Sequence, residues 1–311
     1  MAVTPTPDTA PLIALVGCGR WGRLVLRDLR ELSCRVVVVA RSPQSVARAR
    51  QGGAEAVVGG VEELGDGIDG AVVATPAATH AAICEALLAR GLSVFCEKPL
   101  TADLAEAERL LRIADGRLFV MDKWRYHPGV EALRDIVRSG ELGRPDGLTC
   151  VREQWGSPHD DIDTVWVHLP HDLAIAFEVL GALPDVRGAV AERVGGRVTG
   201  LHGRLGDAPW VAISHSMAAP NPRRMVRLTC EGGTATLADS YDAYLTVAEG
   251  APVRSPPPAR RPLDPEWPLR KELRAFLAHL AGGPPPRSTA ADHLIVLERL
   301  VDLRRAAGLE A

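Results

Sequence analysis

Between Leu12 and Asp122, short apolar runs alternate with amphipathic stretches of helical period. The runs are LIALV (12–16), RVVVVA (35–40), EAVV (55–58), GAVVAT (70–75), SVFCE (93–97) and RLFVMD (117–122). Continuous apolar runs of this length suit strands buried on both faces, and the amphipathic stretches supply the crossover helices that parallel strands require. Six such units predict a doubly wound parallel sheet. The helix signals agree: Ser42-Pro43 opens the second helix, Thr101 with Asp103 opens the one after Pro99, and Gly91 closes the one before the fifth strand.

After Asp122 the pattern changes. A helix is expected from about Gly129 to Ser139, closed by Gly140, followed by the strand-like segments GLTCVREQW, RGAVAERV, RVTGLHGRL, WVAISHSM, RMVRLTCEG and GTATLAD. One helix, DLAIAFEVLG from Asp172, interrupts them early. SPPPARRP (255–262) and GGPPPR (282–287) read as Pro-rich loops, and two closing helices are expected at 269–280 and 290–306. Strands in series with few helices between them indicate an α+β domain with an open mixed or antiparallel sheet. The chain is therefore divided into an α/β domain over 1–122 and an α+β domain over 123–311, as its 311 residues allow.

Composition narrows the function classes. The 36 basic and 39 acidic side chains give a net charge of −3, without the basic concentration that nucleic acid or an anionic membrane demands. Six cysteines without Cys-x-x-Cys or metal-ligand spacing point to reduced thiols in a cytoplasmic protein. Residues 1–11 lack the basic head and apolar stretch of a signal peptide, and no run has the length of a membrane span. Of the 36 basic residues only Lys98, Lys123 and Lys271 are lysines. Genomic drift towards arginine accounts for the bias, yet it leaves each remaining ionisable amine worth inspecting, because arginine keeps its proton at any working pH.

Three segments carry candidate chemistry. Gly17-Cys18-Gly19-Arg20-Trp21-Gly22 follows the first strand and opens a helix; its glycines permit a tight turn and bring backbone amides to a pyrophosphate at the helix's positive end. The second strand ends in Arg41-Ser42 where an NAD site usually has an acid, which favours NADP(H) through a 2′-phosphate and leaves NAD(H) open. Thr75-Pro76 with His80, and Glu97-Lys98-Pro99, lie at carboxyl ends of the fourth and fifth strands, where such sheets bind ligands. Lys98 there suits proton exchange with an alcohol or carbonyl. In Asp163-Thr-Val-Trp166-Val-His168-Leu-Pro170-His171-Asp172 the imidazoles suit proton transfer, and Asp172 either joins them or caps the following helix. His168-x-x-His171 invites a metal reading, but no third ligand stands out and no metal is expected.

Together, Gly17-x-Gly19-x-x-Gly22, Thr75-Pro76 with His80, Glu97-Lys98-Pro99 and His171-Asp172 resemble the glucose-fructose oxidoreductase / inositol dehydrogenase / rhizopine catabolism (Gfo/Idh/MocA) family. The likeness covers most of the chain and is most specific in residues 12–145, including KWRYHPGVEALRDIVRSGELG. It implies a Rossmann domain and an open-faced sheet that forms a homo-oligomer interface, dimeric or tetrameric. It also implies hydride transfer between nicotinamide and a sugar, cyclitol or related small-molecule carbonyl. By the resemblance, Lys98 contacts substrate and cofactor, the peptide before Pro99 is often cis, and His171 handles the substrate hydroxyl proton. One departure stands out: where many relatives carry Asp four residues before that His, this chain has Val167, with His168 adjacent and Asp163 one turn further back as substitutes. That leaves ketosugar reduction, imine reduction and a non-catalytic dinucleotide-sensing role as alternatives. Tyr126, His127, Trp155 and Trp166 are weaker candidates for lining the substrate pocket, each Trp being equally suited to a core.

Overall fold

The computed structural model describes residues 10–156, 163–250 and 257–310, which fall into two compact units. The first contains six strands, β1 (Leu12–Val16), β2 (Arg35–Val39), β3 (Ala56–Val58), β4 (Gly70–Val73), β5 (Ser93–Glu97) and β6 (Leu118–Met121). They form one parallel sheet in the order β3-β2-β1-β4-β5-β6. Helices α1 (Gly22–Glu31), α2 (Pro43–Gln51), α3 (His80–Ala89) and α4 (Leu104–Ala114) connect them. Both faces are dry, as the apolar runs require: Ile13 and Leu15 of β1 enter one core, Ala14 and Val16 the other. The order reverses between β1 and β4, and the register sets Val16 beside Val39 and Val73, so the loops after β1, β2 and β4 emerge at one sheet edge.

Residues 267–294 also belong to this first unit, which corrects the assignment of all of 123–311 to the second. Their helix α7 (Pro268–Leu280) presents Leu269, Leu273 and Phe276 to the core that contains Ile13, Leu15, Phe95 and Phe119. The Phe276 ring lies 5.1 Å from that of Phe95 and 6.2 Å from that of Phe119.

The second unit contains α5 (Pro128–Ser139), α6 (Thr164–Leu180) and eight strands. The strands are β7 (Pro145–Trp155), β8 (Val186–Val194), β9 (Arg197–Leu205), β10 (Trp210–Ser216), β11 (Ala218–Cys230), β12 (Gly233–Leu237), β13 (Tyr244–Glu249) and β14 (Ala259–Pro262). Their order is β14-β13-β12-β11-β7-β10-β9-β8, antiparallel except where β10 runs parallel to β7. Both the α/β class and the mixed open sheet are as expected. The last helix, α8 (Ala290–Ala306), contributes its portion from Ile295 onward to this unit.

Two elements differ from expectation. Helix α6 starts at Thr164 and runs through Pro170, eight residues before the expected start at Asp172. Asp163 caps it by accepting from the Val165 N–H at 2.7 Å, so Asp172 is an interior residue and not a cap. Burial of fourteen of its seventeen residues outweighs the hydrogen bond that Pro170 removes. The expected Pro-rich loop over 255–262 contains β14 at 259–262, with Arg and Pro tolerated because the strand is at the sheet edge. No helix among the described residues is long and apolar enough to cross a membrane.

Candidate functional site

In the first unit the glycine turn is held by three different demands. Gly17 has φ +96°, and a Cβ there would stand 2.6 Å from the Ala74 carbonyl oxygen. At Gly22 a Cβ would come within 2.2 Å of the Gly17 carbonyl oxygen, so this glycine lets the start of α1 pack on the turn. Among the described residues other than its chain neighbours, nothing lies within 4 Å of a Cβ at Gly19. Packing thus accounts for the outer two glycines but not for Gly19, where a bare backbone instead leaves room for a close-lying pyrophosphate. Gly19→Val is accordingly expected to leave the melting temperature within about 2 °C of the parent while weakening dinucleotide binding at least ~10-fold, measured by fluorescence titration. Arg20 beside it is exposed, and half-buried Trp21 has the Lys123 Nζ 4.6 Å from its ring centre.

At the end of β2, Arg41 is exposed and anchored by its Nε, which donates to the Gly59 carbonyl at 3.0 Å. The Ser42 hydroxyl is the N-cap of α2, accepting from the Ser45 N–H at 3.2 Å. Sequence reasoning grouped His80 with Thr75 and Pro76 as a cofactor contact. Its ring is instead buried, Nδ1 lying 2.8 Å from the Pro99 carbonyl oxygen and Nε2 2.8 Å from that of Thr75, so it staples the loops after β4 and β5. Thr79 adds to the same loop by donating to the Pro76 carbonyl at 2.7 Å.

The Lys98-Pro99 peptide is cis, as the resemblance implies. Lys98 is half-buried, and its backbone N–H donates to the Glu97 carboxylate at 2.9 Å. Burial pushes the Glu97 carboxyl above its ordinary range, opposed first by the charge of Lys98 and then by the backbone bond from the same residue. The charge of Lys98 thus bears on a buried carboxyl at the end of β5, a common signature of sites that move protons.

In the second unit, α6 places His168, His171 and Asp172 within little more than one turn. Asp172 is buried and receives the Arg152 guanidinium of β7 at 2.9 Å from Nη2 and 3.1 Å from Nε. Burial raises the Asp172 carboxyl, and Arg152 opposes that rise. The Arg152 guanidinium also lies over the Trp124 ring at 4.8 Å, and Trp124 is 6.3 Å from the buried His171 ring. The Trp124 ring near His171 thus rests against a buried ion pair. His168 stacks on His215 at 5.3 Å, and burial, helped by the charge of Arg152, pushes His215 down to about 3, so that imidazole is neutral at any working pH.

Other expected site residues have structural duties. Asp163, besides capping α6, pairs with Arg304 at 3.1 Å. His127 caps α5: Nδ1 accepts from the Gly129 N–H at 3.1 Å while Nε2 lies 2.9 Å from the Ser240 carbonyl. Trp166 is buried under Arg304, Tyr126 is buried, and Trp155 stands 73% exposed rather than in a core. Glu178 of α6 accepts from both Arg125 and Arg134, which ties that helix to α5. Sequence reasoning missed Arg152, Trp124 and His215. For Arg152 a signal existed, since strand alternation places it on the face of Leu148 and Cys150, both fully buried.

Residues 12–120 match the family described as Gfo/Idh/MocA, oxidoreductase family, NAD-binding Rossmann fold. The match lies wholly within the first unit. The chain is 31% identical over 151 residues to rhizopine catabolism protein MocA of Rhizobium meliloti, a match covering 46% of each chain. It is 28% identical over 178 residues to UDP-N-acetylglucosamine 3-dehydrogenase of Acidithiobacillus ferrooxidans, 56% of each. The matches thus span about half the length of these curated relatives. The solved structure of the latter enzyme shares the fold over 95% of this chain and 97% of its own, with TM-score 0.82 and 24% identity. An oxidoreductase from Agrobacterium radiobacter, solved in complex with NAD+, L-tartaric acid and magnesium, gives TM-score 0.84 at 19% identity, covering 96% and 97%. At such identities the structural likeness concerns the fold alone, and it extends over both units of this chain.

Proposed function

We propose that the chain is an NAD(P)-dependent oxidoreductase that moves a hydride between nicotinamide and the carbinol or carbonyl carbon of a sugar-like substrate. The observation that carries this reading is the Glu97-Lys98-Pro99 segment, whose carboxyl accepts the Lys98 backbone N–H and feels the charge of that half-buried lysine, at the carboxyl end of β5 in the sheet that bears the open glycine turn. Relatives named for inositol, UDP-N-acetylglucosamine and a dideoxyglucose nucleotide support a polyhydroxylated substrate.

The residues present fit a dinucleotide. Gly17, Gly19 and Gly22 would hold its pyrophosphate, Thr75 and Pro76 would flank it beyond β4, and Arg41 would meet the adenosine ribose. When bound, the nicotinamide accepts or supplies the hydride. Lys98 polarises the substrate oxygen, and the single proton that accompanies the hydride passes between that oxygen and either Lys98 or His171. Arg152 and Trp124 keep the His171 ring in one orientation, and neutral His215 presents His168 with a polar but uncharged neighbour. Asp163 is left out of the acid/base machinery because its two oxygens are occupied by the helix cap and by Arg304. The exposed Arg41, where an NAD site usually has an acid, supports NADP(H) over NAD(H).

Absorbance at 340 nm with ketosugars, nucleotide-linked sugars, cyclitols and cyclic imines tests the reaction. Turnover of a hydroxyl or carbonyl compound is expected. Imines alone reacting would make the enzyme an imine reductase, and tight cofactor binding with a silent panel would leave a dinucleotide sensor. For the cofactor, Arg41→Ala is expected to weaken NADPH binding by ~10-fold and NADH binding little, as loss of one charged contact to phosphate implies. Equal affinities of the parent for the two nucleotides would overturn the NADP(H) preference.

A further inference from the structure

The helix that returns to the first unit carries an acid where its apolar stripe faces the sheet. Leu269, Leu273 and Phe276 of α7 are buried, and Glu272 on the same face is 1% exposed with neither carboxyl oxygen in a hydrogen bond. Register places this carboxyl. Phe276 stacks on Phe95 of β5, and Leu280, one turn on, crowds Gly70 at the start of β4, so α7 runs antiparallel to the strands. One turn back, from Phe276 to Glu272, is ~6 Å along the helix. Two residues on, from Phe95 to Glu97, is ~6.6 Å along β5 in the same direction. Glu272 therefore stands at the level of Glu97 and of Asp122, the residue that follows β6.

The charges that bear on Glu272 come from Glu97 at the end of β5, Asp122 just after β6 and Lys123 in the turn that follows. Glu97 in turn feels Lys98, Lys123 and His80. Two of the three lysines of the chain thus adjoin three carboxyls. An ionised carboxylate without hydrogen bonds in such a place is costly, and burial, reinforced by Glu97 and Asp122, pushes Glu272 well above its ordinary range. Glu97 and Asp122 offset the charges of Lys98 and Lys123, whereas a third carboxylate would leave a surplus of negative charge.

We propose that Glu272 is a positioning residue for Lys98, a buried carboxyl that acts through Glu97 to set how readily the lysine amine releases its proton. The proposal deepens the reading of Lys98 as an acid/base group and rests on it. While Glu272 holds its proton, the surplus is absent and Lys98 gives up its own proton at lower pH. When Glu272 loses that proton to solvent, the added charge binds the proton of Lys98 more tightly. The two titrations are then coupled, and neither follows a single-site curve.

The small number of lysines makes the test direct. Reductive ¹³C-methylation of the full chain keeps each lysine charged. It labels Lys98, Lys123, Lys271 and the α-amino group, and Lys123→Arg and Lys271→Arg variants assign the signals. In the parent, the Lys98 signal is expected to titrate over a broadened range. In Glu272→Gln it should become single-site with a midpoint lower by ~0.5 pH unit or more. Glu272→Leu removes the ionisable group without leaving a polar one and should reproduce the shift, so the result does not depend on the folding of one variant. Lys98 curves that superimpose in the parent and in either folded variant would overturn the proposal. The titration needs no substrate. A silent substrate panel with coupling intact would therefore refute the hydride-transfer reading alone, and turnover without coupling would refute only the role of Glu272.

Discussion

Lys98→Met is expected to lower kcat by ~10²- to 10⁴-fold while dinucleotide affinity stays within about threefold of the parent, because the lost group moves a proton in the transition state. Stopped-flow measurement of the hydride step under saturating substrate, with fluorescence titration of the nucleotide, separates the two quantities. Lys98→Arg is expected to fail nearly as badly. A guanidinium restores charge and hydrogen bonding but is too weak an acid to hand over a proton at neutral pH. Substantial rescue by arginine would mean that the position supplies charge alone. Parent-like turnover in Lys98→Met would remove Lys98 from the mechanism.

Arg152→Met is expected to destabilise the second unit by ~3–5 kcal/mol, the usual cost of stranding one member of a buried ion pair. Asp172 would then be a carboxylate at 2% exposure without its cation. The pH dependence has a definite sign. Burial already raises the Asp172 carboxyl in the parent, against the opposing charge of Arg152, and removing Arg152 raises it further. A group whose folded value lies above its unfolded one loses its contribution to stability as pH climbs from the unfolded towards the folded value. Urea denaturation should therefore show the deficit small near pH 4 and growing toward neutrality. Arg152→Met combined with Asp172→Leu should recover most of the loss, and a deficit independent of pH would show that packing on Trp124 matters more than charge. Such a variant should also lower kcat more than cofactor affinity, since the ring against His171 is no longer pinned.

The sheet of the first unit was legible because strands buried on both faces announce themselves as runs such as RVVVVA, and because Ser42 and Asp103 cap helices in the ordinary way. Lys98 was legible through scarcity and through its Glu-Lys-Pro setting. Pro170 hid the first half of α6, since local rules treat proline as a helix breaker, while the burial that overrides it depends on the fold around the helix. Arg152 was hidden by its charge in a strand whose core-facing positions are otherwise apolar, and its partner Asp172 lies twenty residues away on another element. Glu272 reads as a surface acid in KELRAF until α7 is known to cover the first sheet. Sequence order alone does not record which sheet a late helix covers.

That return has a consequence for synthesis. Domains commonly fold in turn as they leave the ribosome. Here the face formed by Ile13, Leu15, Phe95 and Phe119 lacks Leu269, Leu273 and Phe276 until more than 140 further residues have been made after β6. The nascent Rossmann sheet therefore leaves the exit tunnel with the part of one apolar face that α1 and α2 do not cover still open, and that part is packed only when translation is almost finished.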